Sequence, residues 1–92
     1  MKVTQTPTFE RRYKRIRSKE LEAVNAAISA IIDNPQIGAL KKGDLGSIRV
    51  HKVKVGTNQI LIAYWNPNPN AVELIDMGSH ENFYRDLKRK IK

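Results

Sequence analysis

The stretch IRVHKVKVGTNQILIAYWNPNPNAVELIDM, residues 48–77, decides the fold of this chain. It contains three runs rich in β-branched and apolar residues, which are Ile48–Val55, Gln59–Trp65 and Ala71–Met77. Two segments of turn residues, 56–58 and 66–70, separate these runs. Short connections between successive strands are typical of antiparallel pairing. The stretch therefore predicts an antiparallel meander whose nearly all-apolar middle strand is covered on both faces.

The residues before the meander predict a weak strand, two helices and a loop. Pro7 confines the strand, Lys2–Thr8, to an edge or an end of the sheet. A basic amphipathic helix follows from Phe9, where apolar residues recur at helical spacing. Ser18 is a candidate N-cap for a second helix, which Pro35 ends. The apolar stripe of that second helix consists of Leu21, Val24, Ile28, Ile31 and Ile32. Residues 35–47 are rich in glycine and polar residues and predict a connecting loop.

A final amphipathic helix is predicted after the meander. Gly78 is expected to end the last strand, and Ser79 is expected to cap the helix. Its apolar positions are Phe83, Tyr84, Leu87 and Ile91. The resulting order, β-α-α-β-β-β-α, predicts one α+β domain over residues 1–92, with an antiparallel sheet and helices mainly on one face.

Composition narrows the class of protein. The chain has 17 Lys and Arg against 9 Asp and Glu, a net charge of +8, which indicates attraction to nucleic acid, an acidic protein or an anionic surface. The absence of cysteine excludes disulfides, thiolate catalysis and Cys-based zinc sites, and we expect no metal and no cofactor. Neither a membrane-spanning run nor a signal peptide is apparent, so a cytoplasmic location and no membrane partner are expected.

The apolar residues of the first meander strand change phase halfway along it. Ile48 and Val50 occupy even positions, whereas the next two valines occupy odd ones. Such a change either turns side chains to the other face or is absorbed by a β-bulge. Four groups suited to phosphate binding or acid–base chemistry surround it: Arg49, His51, Lys52 and Lys54. An ordinary solvated strand face is the alternative interpretation, and it stays open at this point.

The junction between the last strand and the final helix is a second candidate site. Loops positioned by a rigid sheet often carry functional residues, and a helix N-terminus favours an anion. His80 and Tyr84 stand at i and i+4, so both can project to one side of the first turn. Ordinary capping and core packing explain the same residues equally well. Trp65 is interpreted as a packing residue in preference to a base-stacking one.

The segment Ile75-Asp76-Met77-Gly78-Ser79-His80-Glu81-Asn82-Phe83-Tyr84 resembles the RelE/ParE superfamily of bacterial type II toxin–antitoxin toxins. The order of elements, the size and the basic charge agree with this resemblance, which covers essentially the whole chain. The Gly-x-His-x-x-x-aromatic pattern, preceded by a strand ending in a tyrosine, is most similar to the YafQ-like and RelE-like ribonuclease branch.

The resemblance implies a ribosome-dependent, metal-independent mRNA endonuclease that activates a ribose 2′-hydroxyl against the adjacent phosphate. It implies the ribosome, mRNA and a cognate acidic antitoxin as partners. His80 matches a candidate general acid or base of YafQ-like members, and Tyr84 matches the aromatic position. Lys52 and Lys54 match the phosphate-binding lysine pair of RelE-like members, while His51 has a looser counterpart.

Two positions depart from the family patterns. RelE-like toxins carry an arginine where this chain has Leu61, and the YafQ-like aspartate falls near Gln59. Two alternatives therefore accompany the nuclease hypothesis. One is a non-catalytic ParE-like toxin that inhibits DNA gyrase by protein contact. The other is a degenerate toxin that keeps the fold and has lost its activity.

Overall fold

The computed structural model describes residues 1–41 and 47–79 of the chain. These residues form β1 (Lys2–Gln5), α1 (Pro7–Lys14), α2 (Ser18–Asp33), β2 (Ala39–Leu40), β3 (Ile48–Val55), β4 (Asn58–Asn68) and β5 (Ala71–Ser79). The strands join in one sheet with the order β1-β5-β4-β3-β2. Every neighbouring pair is antiparallel except β1 and β5, which run parallel. The predicted α+β architecture is confirmed. The predicted final helix lies outside the described residues.

The central meander is confirmed: β3 has the predicted bounds, and β4 and β5 are longer than the sequence predicts. β4 continues to Asn68. The side-chain Nδ2 of Asn66 donates to the carbonyls of Asn68 (2.6 Å) and Ala71 (2.8 Å), and a register shift between Trp65 and Asn68 accommodates the intervening proline. β5 continues past Met77 because Gly78 pairs with Leu61 in the ladder to β4. Pairing across the sheet thus overrides the local turn preference of asparagine, proline and glycine.

The first strand is shorter than predicted, and the first helix begins earlier. Thr6 is the N-cap of α1, and its hydroxyl accepts from the Phe9 amide at 3.1 Å. Pro7 therefore occupies the first helical turn, where its missing N–H is not needed. β1 lies at an edge of the sheet, as expected. The predicted Ser18 cap is wrong: Arg17 holds the N-cap position of α2, and its side chain makes no capping hydrogen bond.

The loop predicted over residues 35–47 contains an additional short strand. Ala39 and Leu40 pair with Val50 and Arg49, so β2 covers only the beginning of β3. The glycine and proline residues of this segment indicated a loop. A strand of two residues is too short to show the alternation that would have predicted it. Among the described residues, no helix is long and apolar enough to cross a membrane.

Both faces of the sheet are buried near its centre. The larger cluster lies between the helices and the sheet and includes Phe9, Val24, Ala27, Ile31, Ile60, Ile62, Tyr64, Val72, Leu74 and Met77. A smaller cluster on the opposite face consists of Ile48, Val50, Leu61 and Ala63, with Ile75 packed against it. Alternate residues of β4 therefore enter two different clusters, which confirms its predicted two-sided burial.

The change of phase in β3 reflects burial on opposite faces and not a bulge. β3 pairs with β4 without a register shift from Ile48 opposite Trp65 to Val55 opposite Asn58. Val50 lies in the smaller cluster, whereas Val53 packs against the larger one. The two halves of the strand therefore bury opposite faces while its pleat stays regular.

Tyr64 ties the segment after α2 to the sheet. Its side chain is fully buried, and its hydroxyl accepts from the Gly38 amide at 2.9 Å and donates to the Pro35 carbonyl at 2.6 Å. A Cβ at Gly38 would stand 2.8 Å from the Tyr64 ring, so the close approach requires glycine there. Burial raises the pKa of the Tyr64 hydroxyl, which keeps it protonated as a donor.

Replacing Tyr64 by phenylalanine tests this anchor. Tyr64→Phe leaves the buried Gly38 amide without its acceptor, so we expect the free energy of unfolding to fall by about 1–3 kcal/mol. Tyr13→Phe is the matched control, since the hydroxyl of Tyr13 bonds to Asn25 at an exposed position. Its effect should stay within about 0.5 kcal/mol. Urea denaturation of both variants makes the comparison, and equal losses would contradict the anchor.

Candidate functional site

Lys52 and Lys54 form an exposed pair on the sheet face opposite α1 and α2. They alternate with residues that face the larger cluster, and they continue the row of Ile48 and Val50 along β3. Both side chains are exposed. Their backbone positions are two residues apart on one strand face, roughly 7 Å. Two ammonium groups at this spacing suit a single phosphate or two adjacent ones.

The end of β5 lies in the same row as this lysine pair. Lys52 pairs with Leu61 on β4, and Leu61 pairs with Gly78 on β5. Adjacent strands are about 4.8 Å apart, so the backbones of Lys52 and Gly78 are roughly 10 Å apart. Gly78 stands two residues before His80 in the sequence. The sheet thus brings the lysine pair to the end from which the chain continues to His80. The predicted site residues His80 and Tyr84 lie outside the described residues.

Arg49 and His51 lie on the other face of β3. Arg49 pairs with Tyr64 and His51 pairs with Ile62, and both partners belong to the cluster beneath the helices. The Arg49 guanidinium donates through Nη1 to the Gly38 carbonyl at 2.8 Å. The four basic residues predicted on this strand are therefore divided between its two faces, and Arg49 contributes to holding the segment after α2.

His51 is half-buried, and its titration follows from that position. Burial disfavours the charged imidazolium and lowers the pKa of His51 below its ordinary value. The side chain is therefore neutral near pH 7 and able to accept a proton. On its face of β3 it is separated by the sheet from Lys52 and Lys54.

An ion pair with a buried carboxylate, near the end of β5, was missed by the sequence reasoning. Asp76 is fully buried, and its Oδ1 lies 3.4 Å from Nε of Arg12 on α1. Arg12 also donates through Nη1 to the Met77 carbonyl at 3.1 Å. The available signal was an aspartate continuing the inward positions of Val72 and Leu74, because a buried carboxylate requires a cationic partner.

Two further surface features border the sheet. A cleft of about 280 Å³ lies beside Arg12, between α1 and the last residues of β5.

Trp65 is 42 % exposed on the face opposite the helices, so it is only partly a packing residue. Within residues 1–41 and 47–79, no three His, Asp or Glu side chains cluster as metal ligands.

Comparison with known proteins identifies the family. Residues 3–88 match the family model described as a ParE-like toxin of type II bacterial toxin–antitoxin system. The chain belongs to the ParE-like toxin family. This result confirms the resemblance to the RelE/ParE superfamily. A search of curated proteins found no significant match to this toxin-family chain.

Solved structures show that this ParE-like family member has the RelE fold. A chain of the intact E. coli RelBE toxin–antitoxin complex superposes with a TM-score of 0.69 and 16% identity, covering 87% of this chain and 96% of that one. The isolated E. coli RelE toxin superposes with a TM-score of 0.67 and 15% identity, covering 99% of this chain and 98% of that one.

The departures from the RelE-like and YafQ-like patterns have definite places in this ParE-like fold. Leu61 is fully buried in the smaller apolar cluster, so its position contributes packing and no charge. Gln59 is half-buried and pairs with Lys54. Gln59 therefore lies beside Lys54, and Leu61 belongs to the apolar core between Lys52 and Gly78.

The lowered pKa of His51 predicts a pH-dependent stability. Between the ordinary value of about 6.5 and the lower folded-state value, the unfolded chain binds more protons than the folded one. Stability contributed by the neutral imidazole is therefore present above about pH 6.5 and lost as the pH falls. Urea denaturation at about pH 7.5 and about pH 5.5 should show a larger loss for the wild type than for His51→Gln. The same pH dependence in both proteins would argue against this role of burial.

Proposed function

We propose that this toxin cleaves mRNA on the ribosome by acid–base activation of a ribose 2′-hydroxyl. One observation carries the proposal. The exposed pair Lys52 and Lys54 stands at the end of the sheet where β5 continues toward His80. A phosphate held by the lysines would then lie near the segment that contains the histidine.

Each group has a defined chemical task in the proposed reaction. Attack by the 2′-hydroxyl requires a proton acceptor, a proton donor for the leaving oxygen and cations that stabilise the crowded phosphorane. Lys52 and Lys54 supply the cations, and Tyr84 orients or stacks the base. His80 takes the proton from the attacking 2′-hydroxyl and returns it to the leaving 5′-oxygen as the P–O bond to that oxygen breaks. We place His80 ahead of His51 because His51 lies on the opposite face of β3 from the lysines. Arg49 has a structural task in holding the Gly38 carbonyl.

We propose a cognate acidic antitoxin as the protein partner and the cytoplasm as the location of action, where ribosomes are found. The fold is shared with a chain of a toxin–antitoxin complex, and the net charge of +8 complements an acidic protein. Long-range attraction of this kind accelerates association more than it strengthens the complex. The same charge favours approach to ribosomal RNA.

A second candidate function is inhibition of DNA gyrase by protein contact. The family model that matches the chain is the ParE-like one. Leu61 also places an apolar, fully buried side chain where RelE-like toxins carry an arginine. These two observations favour a toxin without RNA-cleaving chemistry, and a reconstituted assay separates the two functions.

Removing either lysine tests the nuclease proposal. In a reconstituted translation mixture, the wild type should stop translation and produce cut mRNA. Lys52→Ala and Lys54→Ala should each lower the cleavage rate by about 100-fold, because each removes a cation from the developing phosphorane. Lys19→Ala is the matched control: Lys19 is exposed on α2, on the other side of the sheet, and its loss should leave the rate unchanged.

The same preparation is assayed for inhibition of gyrase supercoiling. Intact mRNA together with inhibited gyrase would overturn the nuclease proposal and support the second candidate. Neither activity from a folded protein that binds its antitoxin would identify a degenerate toxin. His51→Ala and His80→Ala, compared in the cleavage assay, assign the proton transfer to one histidine.

A further inference from the structure

The side chains of β5 change phase between Leu74 and Met77. Val72 and Leu74 pack in the cluster beneath the helices, and Ile75 packs against the cluster on the opposite face. Asp76 contacts Arg12 on α1, and Met77 also belongs to the cluster beneath the helices. Leu74 and Met77 therefore face the same side of the sheet although they are three residues apart, which requires one extra residue in the strand. The register of β5 with β4 shifts at the same place, between Ala63 and Tyr64.

Helix α1 and its cap hold this irregular part of β5 on both sides of Asp76. The Thr6 hydroxyl donates to the Ile75 carbonyl at 2.6 Å, and Arg12 donates to the Met77 carbonyl at 3.1 Å. Asp76 Oδ1 accepts from the Met77 amide at 2.7 Å and lies 3.4 Å from Arg12 Nε. Side chains of one helix thus supply partners to backbone groups at a place where the ladder is irregular.

A contribution to stability does not by itself explain the ion pair between Arg12 and Asp76. The Arg12 side chain is 39% exposed, whereas the Asp76 carboxylate is fully buried, and desolvation of that carboxylate offsets much of its attraction to Arg12. Asp76 is fully buried, and among the contacts of the described residues its Oδ2 has no hydrogen-bond partner. Specifying one register is a better-attested use of such buried polar groups.

The register shift decides which face the end of β5 presents. Strict alternation from Val72 and Leu74 would place residue 78 on the helix side. After the shift, Gly78 instead pairs with Leu61, on the face of Lys52. The last described residues of the strand, which precede His80 in the sequence, therefore stand in phase with the lysine pair.

We propose that Arg12 and Asp76 are positioning residues for RNA cleavage. They hold β5 in the shifted register and thereby align the strand end that continues to His80 with Lys52 and Lys54. The proposal rests on the proposed nuclease function, and it adds to that function two residues far from the phosphate.

The double variant Arg12→Met/Asp76→Leu provides the test. Asp76→Leu removes the buried carboxylate together with its partner, and Arg12→Met keeps an unbranched side chain at a partly exposed position, so this variant should fold and bind antitoxin. It lacks the donor to the Met77 carbonyl. We expect the cleavage rate at saturating ribosomes to fall about 10- to 100-fold, with little change in the half-saturating concentration, since displacement of reacting groups affects the chemical step. Amide hydrogen exchange at Gly78 and Ser79 should become about tenfold faster.

Two further variants keep the test decisive. Glu10→Gln/Lys14→Met removes an exposed ion pair from the same helix and should change neither measurement. If the double variant at Arg12 and Asp76 does not fold, Arg12→Lys replaces it, because it keeps the charge beside Asp76 and lacks the guanidinium fork.

The outcomes separate this proposal from the nuclease function. A folded variant with the wild-type cleavage rate overturns the positioning role. Faster amide exchange throughout the sheet, together with a higher half-saturating concentration of ribosomes, also overturns the positioning role, because that pattern indicates general destabilisation. Absence of cleavage by the wild type counts against the nuclease function alone. In that case unchanged exchange at Gly78 and Ser79 in the variant overturns the proposed hold on β5, and faster exchange there supports it.

Discussion

β4 is buried on both faces, and the rest of the structure is arranged around it. Its residues 61–64 are fully buried, and it is hydrogen-bonded to β3 on one side and β5 on the other. Alternate side chains must therefore find apolar partners in two directions. Ile62 and Tyr64 enter the cluster beneath the helices, while Leu61 and Ala63 enter the smaller cluster on the other face. A slip of β4 by one residue would exchange these two sets, so burial strongly specifies its register.

The register of β4 determines where the charged groups of β3 and β5 stand. In β3 an unbroken ladder sends Lys52 and Lys54 to one face and Arg49 and His51 to the other. In β5 the register shift places Gly78 in the same row of the sheet as Lys52. β3 pairs regularly, but its two halves bury opposite faces. β5 contains a register shift that changes the phase of its side chains. Together they bring the lysine pair and the approach to His80 to the same end of the sheet.

The basic residues of α1 and α2 have a different relation to the site. Six of the 17 basic residues fall between Arg11 and Lys19, in α1, the start of α2 and the turn between them. Arg12 is paired with the buried Asp76, and Lys14 lies 3.4 Å from Glu10. The charge of this region suits long-range attraction to RNA or to an acidic protein, whereas the proposed chemistry depends on the small group around Lys52.

The amino-acid sequence by itself predicted the first strand, the two described helices, the three-stranded meander and the fold class. The helical spacing from Phe9, the apolar stripe of α2 and the turn residues between three β-rich runs are local patterns, so the helices and the meander were predictable. The segment around His80 also carried the family resemblance, which the match over residues 3–88 confirmed.

Only the tertiary structure decided which of the predicted site residues share a face. The change of phase at His51 had two explanations in the sequence, and pairing with β4 selected burial on opposite faces. The pairing of Asp76 with Arg12 joins residues 64 positions apart, and no local period reports such a contact. Hydrophobic periodicity records which side of its own element a residue occupies. The sheet register, a property of several elements packed together, determines which residues of different strands meet.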